Sequence, residues 1–475
     1  MKIDFIGHAS LLIESTDRKI LIDPVFWDPH YEGLCAVSPR RHVFPERLPA
    51  YDIIAVSHRH FDHFDIRTLA SLDRGCQVLI PDRDPLLAYT FRELGFSRVE
   101  ALPDNYRWVT GDTAIVTTPS NGPDREFGFL IQDSTATIWN QVDTFVSSRL
   151  ASRIASRFGP IDFLLATWQP LLESAVFING RTSFPYEEYF RLLANVQIIN
   201  PRALAPASCG FKYIDEAAWL NKFVFPVNRD VFVRDAGKAI RGAQVLTANP
   251  GDVIEINSGM VQPGAGKCEF VSMVEDDTSE TVFNPVGDVP ALTDPNHAGY
   301  TEAEMLERIE AFVRDQMATA IKQSLQERTI IHDYTKIGCT YQLDIVCPAT
   351  VVSYSIRFSE SEVKLTRDPS PAPNMHTQIA GSILTDVLLG RRSFSYLCSG
   401  GFYRSFNHFY AIEEHGCYRW RPTNRQIIDP LLLALDSEEL MIKYIDHEIS
   451  KNVQPAAANT PERISRPAGA AFGFK

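Results

Sequence analysis

The sequence has no apolar run approaching the roughly 20 residues that a membrane-spanning helix needs. It opens in strand-like residues, without a basic segment followed by an apolar stretch, so no secretory signal is expected. The eight cysteines (35, 76, 209, 268, 339, 347, 398 and 417) include no Cys-x-x-Cys pair. That argues against a disulfide framework and for reduced thiols in a cytoplasmic protein. Positive charge is in deficit: 46 Lys and Arg stand against 59 Asp and Glu, a formal charge of −13. An acidic chain without a basic run is a poor partner for nucleic acid and for anionic membrane. No internal repeat is visible. Histidine is scarce, 12 in 475 residues, so where it clusters carries information.

It clusters once. Ser57-His58-Arg59-His60-Phe61-Asp62-His63 follows the apolar run Tyr51-Asp52-Ile53-Ile54-Ala55-Val56, which reads as a buried strand. Imidazole with carboxylate is the ligand set of zinc, iron or manganese. His58 and His60, two apart on extended backbone, point the same way. Asp62 and His63 follow once the strand must turn, so they can face a second point nearby. The spacing suits one metal held by His58 and His60 and another by Asp62 and His63. The competing reading is a solvated polar loop.

His58-x-His60-x-Asp62-His63 resembles the metal motif of the metallo-β-lactamase superfamily. Met1 to Ile13, read as a strand containing Gly7-His8-Ala9-Ser10, and Lys19 to Asp23-Pro24, read as a second, are similar to the opening of one broad branch. That branch holds the N-acyl-phosphatidylethanolamine phospholipase D and ascorbate-lactonase types, and Ser38-Pro39-Arg40-Arg41 and Leu48-Pro49 also fit it. The resemblance covers about residues 1–260 and implies an αββα sandwich. Short strands alternating with helices through residue 256 suit two sheets with helices outside. Residues 261–300, rich in Gly, Pro and acidic residues, read as a linker or surface excursion. Residues 301–450 read as a smaller α+β domain, opened by the capping pattern Thr301-Glu302-Ala303-Glu304. Its order of elements is similar to a sterol-carrier-protein-like module. The Pro/Ala-rich tail at 451–475 reads as disordered. The fold class is α/β: the sandwich followed by the α+β domain.

The resemblance also implies a third imidazole, a bridging carboxylate and a last imidazole. Asp143, in Asn140-Gln141-Val142-Asp143, stands where the bridging carboxylate belongs; the alternative is a helix cap at a strand-to-helix turn. Neither further imidazole is present, since no His occurs between His63 and His297. Ser120 to Asp124 and Ala207-Ser208-Cys209-Gly210 occupy those segments. Asp124 is the candidate replacement at the first. The Asn-rich run before Asp143, Thr167-Trp168-Gln169-Pro170 and Pro206 to Gly210 are similar to the domain paired with a Rieske module in CMP-N-acetylneuraminate hydroxylases. This chain has no Rieske Cys–His pairs of its own.

The site expected is therefore His58, His60, Asp62, His63, Asp143 and Asp124 as ligands, with Asp23 behind them as a hydrogen-bonding support and His8 either approaching the site itself or, the commoner case, serving as a second such support. Arg40, Arg41, Trp168 and Cys209 are candidate substrate contacts. Cys209 could also be a soft ligand, although a buried inert thiol is the commoner state. One or two divalent metals per chain, zinc or iron, are expected. Three functions follow. The first is a hydrolase of a small or acyl-containing ester, lactone, amide or phosphodiester. It would use a metal-bound water whose pKa is lowered toward about 7, with Asp62 orienting the resulting hydroxide and taking protons. The second is a non-haem iron oxygenase fed by an external reductase. The third is a binding protein with a degenerate site. The aromatics from Phe394 to Tyr410 read as core, as an apolar tunnel, or as the surface of a homodimer.

Overall fold

The computed structural model describes residues 1–453 except 123–124, 179, 181, 265, 360–362 and 420–426. The expected tail beyond 453 lies outside the described residues.

Two sheets face each other. The first, eight-stranded, runs Met260–Pro263, Val253–Asn257, Lys2–Gly7, Ser10–Glu14, Lys19–Ile22, Ile53–Ala55, Gln77–Pro81 and Val99–Leu102. The second, seven-stranded, runs Gln244–Val245, Ala203–Pro206, Phe163–Ala166, Thr137–Asn140, Phe127–Gln132, Thr113–Pro119 and Arg107–Thr110. Alternation builds the layers. Ile3, Phe5, Leu11, Ile13, Ile20 and Ile22 turn inward onto Ile115, Phe129, Ile131 and Ile138. Leu12, Leu21, Ile54 and Val78 turn outward to helices Ile66–Ser71 and Pro85–Glu93. Leu130, Trp139, Leu164 and Leu204 turn outward to Ser148–Phe158, Tyr186–Ile199 and Arg229–Ala239. This is an αββα sandwich.

The opening differs from expectation. Met1 to Ile13 is a hairpin rather than one strand, with Lys2–Gly7 pairing antiparallel to Ser10–Glu14. Gly7 at φ 120° and His8 at φ 53° reverse the chain, and alternation of apolar residues cannot reveal such a tight turn. Residues 261–300 are not a free linker either. Met260–Pro263 extends the first sheet, and Val271–Glu275 pairs with Arg40–Val43. Strand pairing with the N-terminal part of the chain therefore continues through Glu275.

The C-terminal unit holds a five-stranded sheet in the order Val363–Thr366, Val351–Phe358, Thr340–Val346, Met375–Ala380, Tyr403–Asn407. The capping box at Thr301 and Glu304 starts its first helix. Tyr396, Phe402, Tyr403 and Phe409 fill its core, whereas Phe406 and Tyr410 are exposed. The two units share one apolar cluster running from Ile54 and Phe61 to Leu440 and Tyr444. The Phe61 and Tyr444 rings lie 5.1 Å apart, and Tyr31 Oη and Ser399 Oγ are 3.0 Å apart.

Glu32 fastens this seam, accepting from the Ser393 backbone N–H at 2.9 Å and from the Ser393 hydroxyl. Burial pushes its carboxyl up to about 7, against the lowering pull of Ser393 and Arg392. A carboxyl raised on folding stabilises fully below its unfolded value and loses that contribution as pH rises through about 7. Glu32→Gln keeps an acceptor for the N–H and a partner for the hydroxyl. Its stability relative to the parent should therefore grow between pH 5 and 8, by on the order of 1–3 kcal/mol before allowance for partial exposure. Urea unfolding of both proteins at the two pH values measures this; a constant difference would remove Glu32 from the seam's pH response.

Candidate metal centre

Three chain segments and one turn meet at one edge of the sandwich. The loop after strand Ile53–Ala55 carries His58, His60, Asp62 and His63. The loop after Thr137–Asn140 carries Asp143, the loop after Ala203–Pro206 carries Ser208 and Cys209, and the hairpin turn carries His8.

Asp23, at the end of strand Lys19–Ile22 and fully buried, anchors the first loop. It accepts from the Ser57 N–H at 2.7 Å, from the Ser57 hydroxyl at 2.7 Å and from His63 Nδ1 at 2.9 Å. Nδ1 of His63 therefore carries the proton, which leaves Nε2 facing the aspartates. His63 Nε2 lies 3.1 Å from Asp143 Oδ2 and 3.7 Å from Asp62 Oδ2. His8 Nε2 lies 3.1 Å from the same Asp62 oxygen. His58 Nε2 and His60 Nδ1 are 2.9 Å apart. Two trios each bring their ligand atoms within 4.8 Å: His8, Asp62 and His63, and His58, His63 and Asp143. His63 belongs to both, and His60, exposed, to neither.

Asp143 is aimed by strain. Val142, a buried β-branched residue, sits at φ 53°, a conformation costing on the order of 1–3 kcal/mol. The Asn140 side chain holds it there by accepting from the Val142 N–H at 3.0 Å. Asp143 does not cap the following helix, whose N-cap is Ser147. The Ser208 hydroxyl donates to Asp143 instead.

The electrostatics favour charged carboxylates beside imidazole. Burial alone would raise Asp62 and Asp143, but the imidazoles hold both below the usual carboxylate range, His63 foremost. Burial alone would lower His63, but Asp143 and Asp62 hold it above its ordinary value. Desolvation lowers His58 and His8, which favours their neutral, ligating forms.

Of the remaining expected residues, Cys209 stands beside Asp143. Asp124 lies outside the described residues. Arg41 is buried and donates to the carbonyls of Ile6 at 3.0 Å and Val25 at 2.6 Å, which leaves none of that pair of bonds for a substrate. Arg40 is at the surface, 3.2 Å from Glu275. Trp168 is buried and donates from Nε1 to the Ser208 carbonyl at 2.9 Å. The Cys209 thiol is 4.0 Å from Asp143, and burial pushes it well above its ordinary value, so it is held as a neutral thiol.

Glu173, which the sequence did not single out, is raised to about 7 by burial, with Asp62 and Asp143 adding to the rise and a hydrogen bond from Tyr213 opposing it. A cleft of about 440 Å³ opens beside His58 and His60. Arg59, Asp84 and Arg125 line it from the sandwich, and Phe394, Ser395, Glu438 and Met441 from the C-terminal unit. The arginines are occupied: Arg59 donates to Asp84 at 2.7 Å and Arg125 to the Arg83 carbonyl at 3.0 Å.

Residues 2–146 match the family model described as "Beta-lactamase superfamily domain". A "Putative Rieske 2Fe-2S iron-sulfur protein" of Mycobacterium tuberculosis is 27% identical over 187 residues, 36% of this chain and 36% of that protein. The match thus spans about a third of the relative's length. A metal-dependent hydrolase of Aeropyrum pernix is 34% identical over 79 residues, 16% of this chain and 28% of its own. Among solved structures, CmlA, a diiron β-hydroxylase from Streptomyces venezuelae, aligns at TM-score 0.39 and 18% identity, over 52% of this chain and 53% of that one. Residues 2–146 are thus similar to the β-lactamase superfamily domain.

Proposed function

We propose that the chain is a metal-dependent hydrolase of a small or acyl-containing ester, lactone, amide or phosphodiester. One observation carries this reading: two trios of imidazole and carboxylate sharing His63, one of which reaches a cleft through His58. The donor set fits a cation. His8 and His63 hold buried ring nitrogens without a hydrogen-bond partner, and leaving such atoms unpaired is costly unless something else binds them. The same cost weighs against a degenerate site. His58, His60, Asp62, His63 and Asp143 would hold one or two divalent ions, which would supply an acidified water and a Lewis acid. Asp62, next to that position, would orient the nucleophile and accept its proton. Asp23 fixes the tautomer of His63, and Ser208 and Asn140 fix Asp143 in place. The C-terminal unit, for which the sterol-carrier likeness remains part of this proposal, would wall the cleft and exclude water.

A second reading is an iron oxygenase drawing electrons from an external donor. The loss of two imidazoles leaves a carboxylate-rich set suited to iron. The 187-residue likeness to a protein named for a Rieske cluster points the same way.

Elemental analysis of protein purified without chelators or an affinity metal separates these readings. About two zinc per chain supports the hydrolase, and about one or two iron the oxygenase. Less than about a tenth of an equivalent, not restored by added metal and unchanged in His58→Ala/His60→Ala, would overturn both. Asp143→Ala should lower the content by about one equivalent, and unchanged content would remove it from the ligand set. Ser395→Trp, which fills the cleft from its far wall, should cut kcat/KM at least about tenfold at constant metal content. Turnover equal to the parent's on ester, lactone and phosphodiester panels would place substrate binding elsewhere.

A further inference from the structure

The chain lacks an imidazole in the loop after strand Ala203–Pro206, where its superfamily resemblance implies one. Facing that loop is the hairpin turn carrying His8. A Cβ at residue 210 would stand 3.3 Å from His8 Cα and 3.5 Å from His8 N, so Gly210 is what lets the turn approach so closely. Gly7 and His8, at φ 120° and 53°, bend the turn so that the His8 ring enters the site. That ring is completely buried, its edge set against His63 with centroids 5.0 Å apart and planes at 72°.

Two close contacts carry the argument. His8 Nε2 approaches Asp62 Oδ2 to 3.1 Å, and His63 Nε2 approaches Asp143 Oδ2 to 3.1 Å. Neither nitrogen is aligned with a hydrogen-bond partner. Atoms so close yet misaligned for N–H···O bonding are arranged as donors converging on a common third point. A supporting His8, the role expected from the sequence, would instead hold an aligned N–H···O bond to the carboxylate.

Resting on the metal-centre reading above, we propose that His8 is itself a metal ligand. With Asp62 and His63 it completes a site in which an imidazole from the N-terminal hairpin replaces the one missing at 207–210. Ser208, in the vacated loop, takes up the different task of holding Asp143.

The test is cobalt(II) titration of the metal-stripped full chain, followed by the visible absorption of the bound ion, for the parent, His8→Gly and His8→Asn. Both substitutions suit the left-handed turn, since Gly and Asn adopt positive φ readily. Circular dichroism checks that each folds, and either folded variant suffices. The parent should take up two equivalents. In the variants the affinity for one should fall at least about tenfold with an altered spectrum for that ion and the other unchanged; the same fall with the parental spectrum is what loss of a supporting residue gives and would overturn the assignment. Added imidazole should restore the parent spectrum in His8→Gly. Parental affinities and spectra in a folded variant would overturn the assignment of His8 and leave the metal centre standing. A parent that binds no cobalt would overturn the metal centre itself.

Discussion

One buried imidazole organises the site. His63 donates from Nδ1 to Asp23 and presents Nε2 to Asp62 and Asp143, so three aspartates converge on a single ring. Such a concentration of negative charge away from water is tolerable only with compensation at its centre. In the chain alone the compensation is the ring held toward its protonated form. A bound cation would take over the same electrostatic work while displacing that proton. The surrounding architecture serves this arrangement: Ser57 clamps Asp23, and Asn140 and Ser208 clamp the approach of Asp143. The site is thus a layer of ordinary hydrogen bonds around a small set of imidazole and carboxylate atoms that could hold a metal.

Part of this was legible in the sequence. The cluster from His58 to His63 announces itself because histidine is rare here, and the strand before it is a continuous apolar run. The sandwich follows from the alternation of strand and helix. The family resemblance points to Asp143, although nothing in a linear pattern shows that Val142 must adopt a left-handed backbone ahead of it. Contributions made across the fold were less legible. His8 stands 50 positions before His58, in a turn that reads as continuous strand until the conformations of Gly7 and His8 are known. Glu173 and Ser208 had no local signature at all. Arg41 misled for the opposite reason: an Arg pair beside a motif suggests anion binding, but the fold spends this one on two backbone carbonyls.

The cleft belongs to both units. Its floor is the histidine loop, and its far wall is formed by Phe394, Ser395 and the start of helix Glu438–Asn452. The same helix reaches the shared core through Leu440 and Tyr444. Nothing about residues 2–146 in isolation would describe that wall, although they contain most of the ligating groups.

The packing of Phe61 against Tyr444 then acquires a meaning beyond adhesion. Phe61 lies between His60 and Asp62 in sequence, so the ring that grips the C-terminal helix is carried by the same six residues that hold the histidine cluster. A shift in the seam is transmitted to the metal loop without any intervening element. A change of side chain in that seam would therefore bear on the spacing of the imidazoles and the carboxylate next to it.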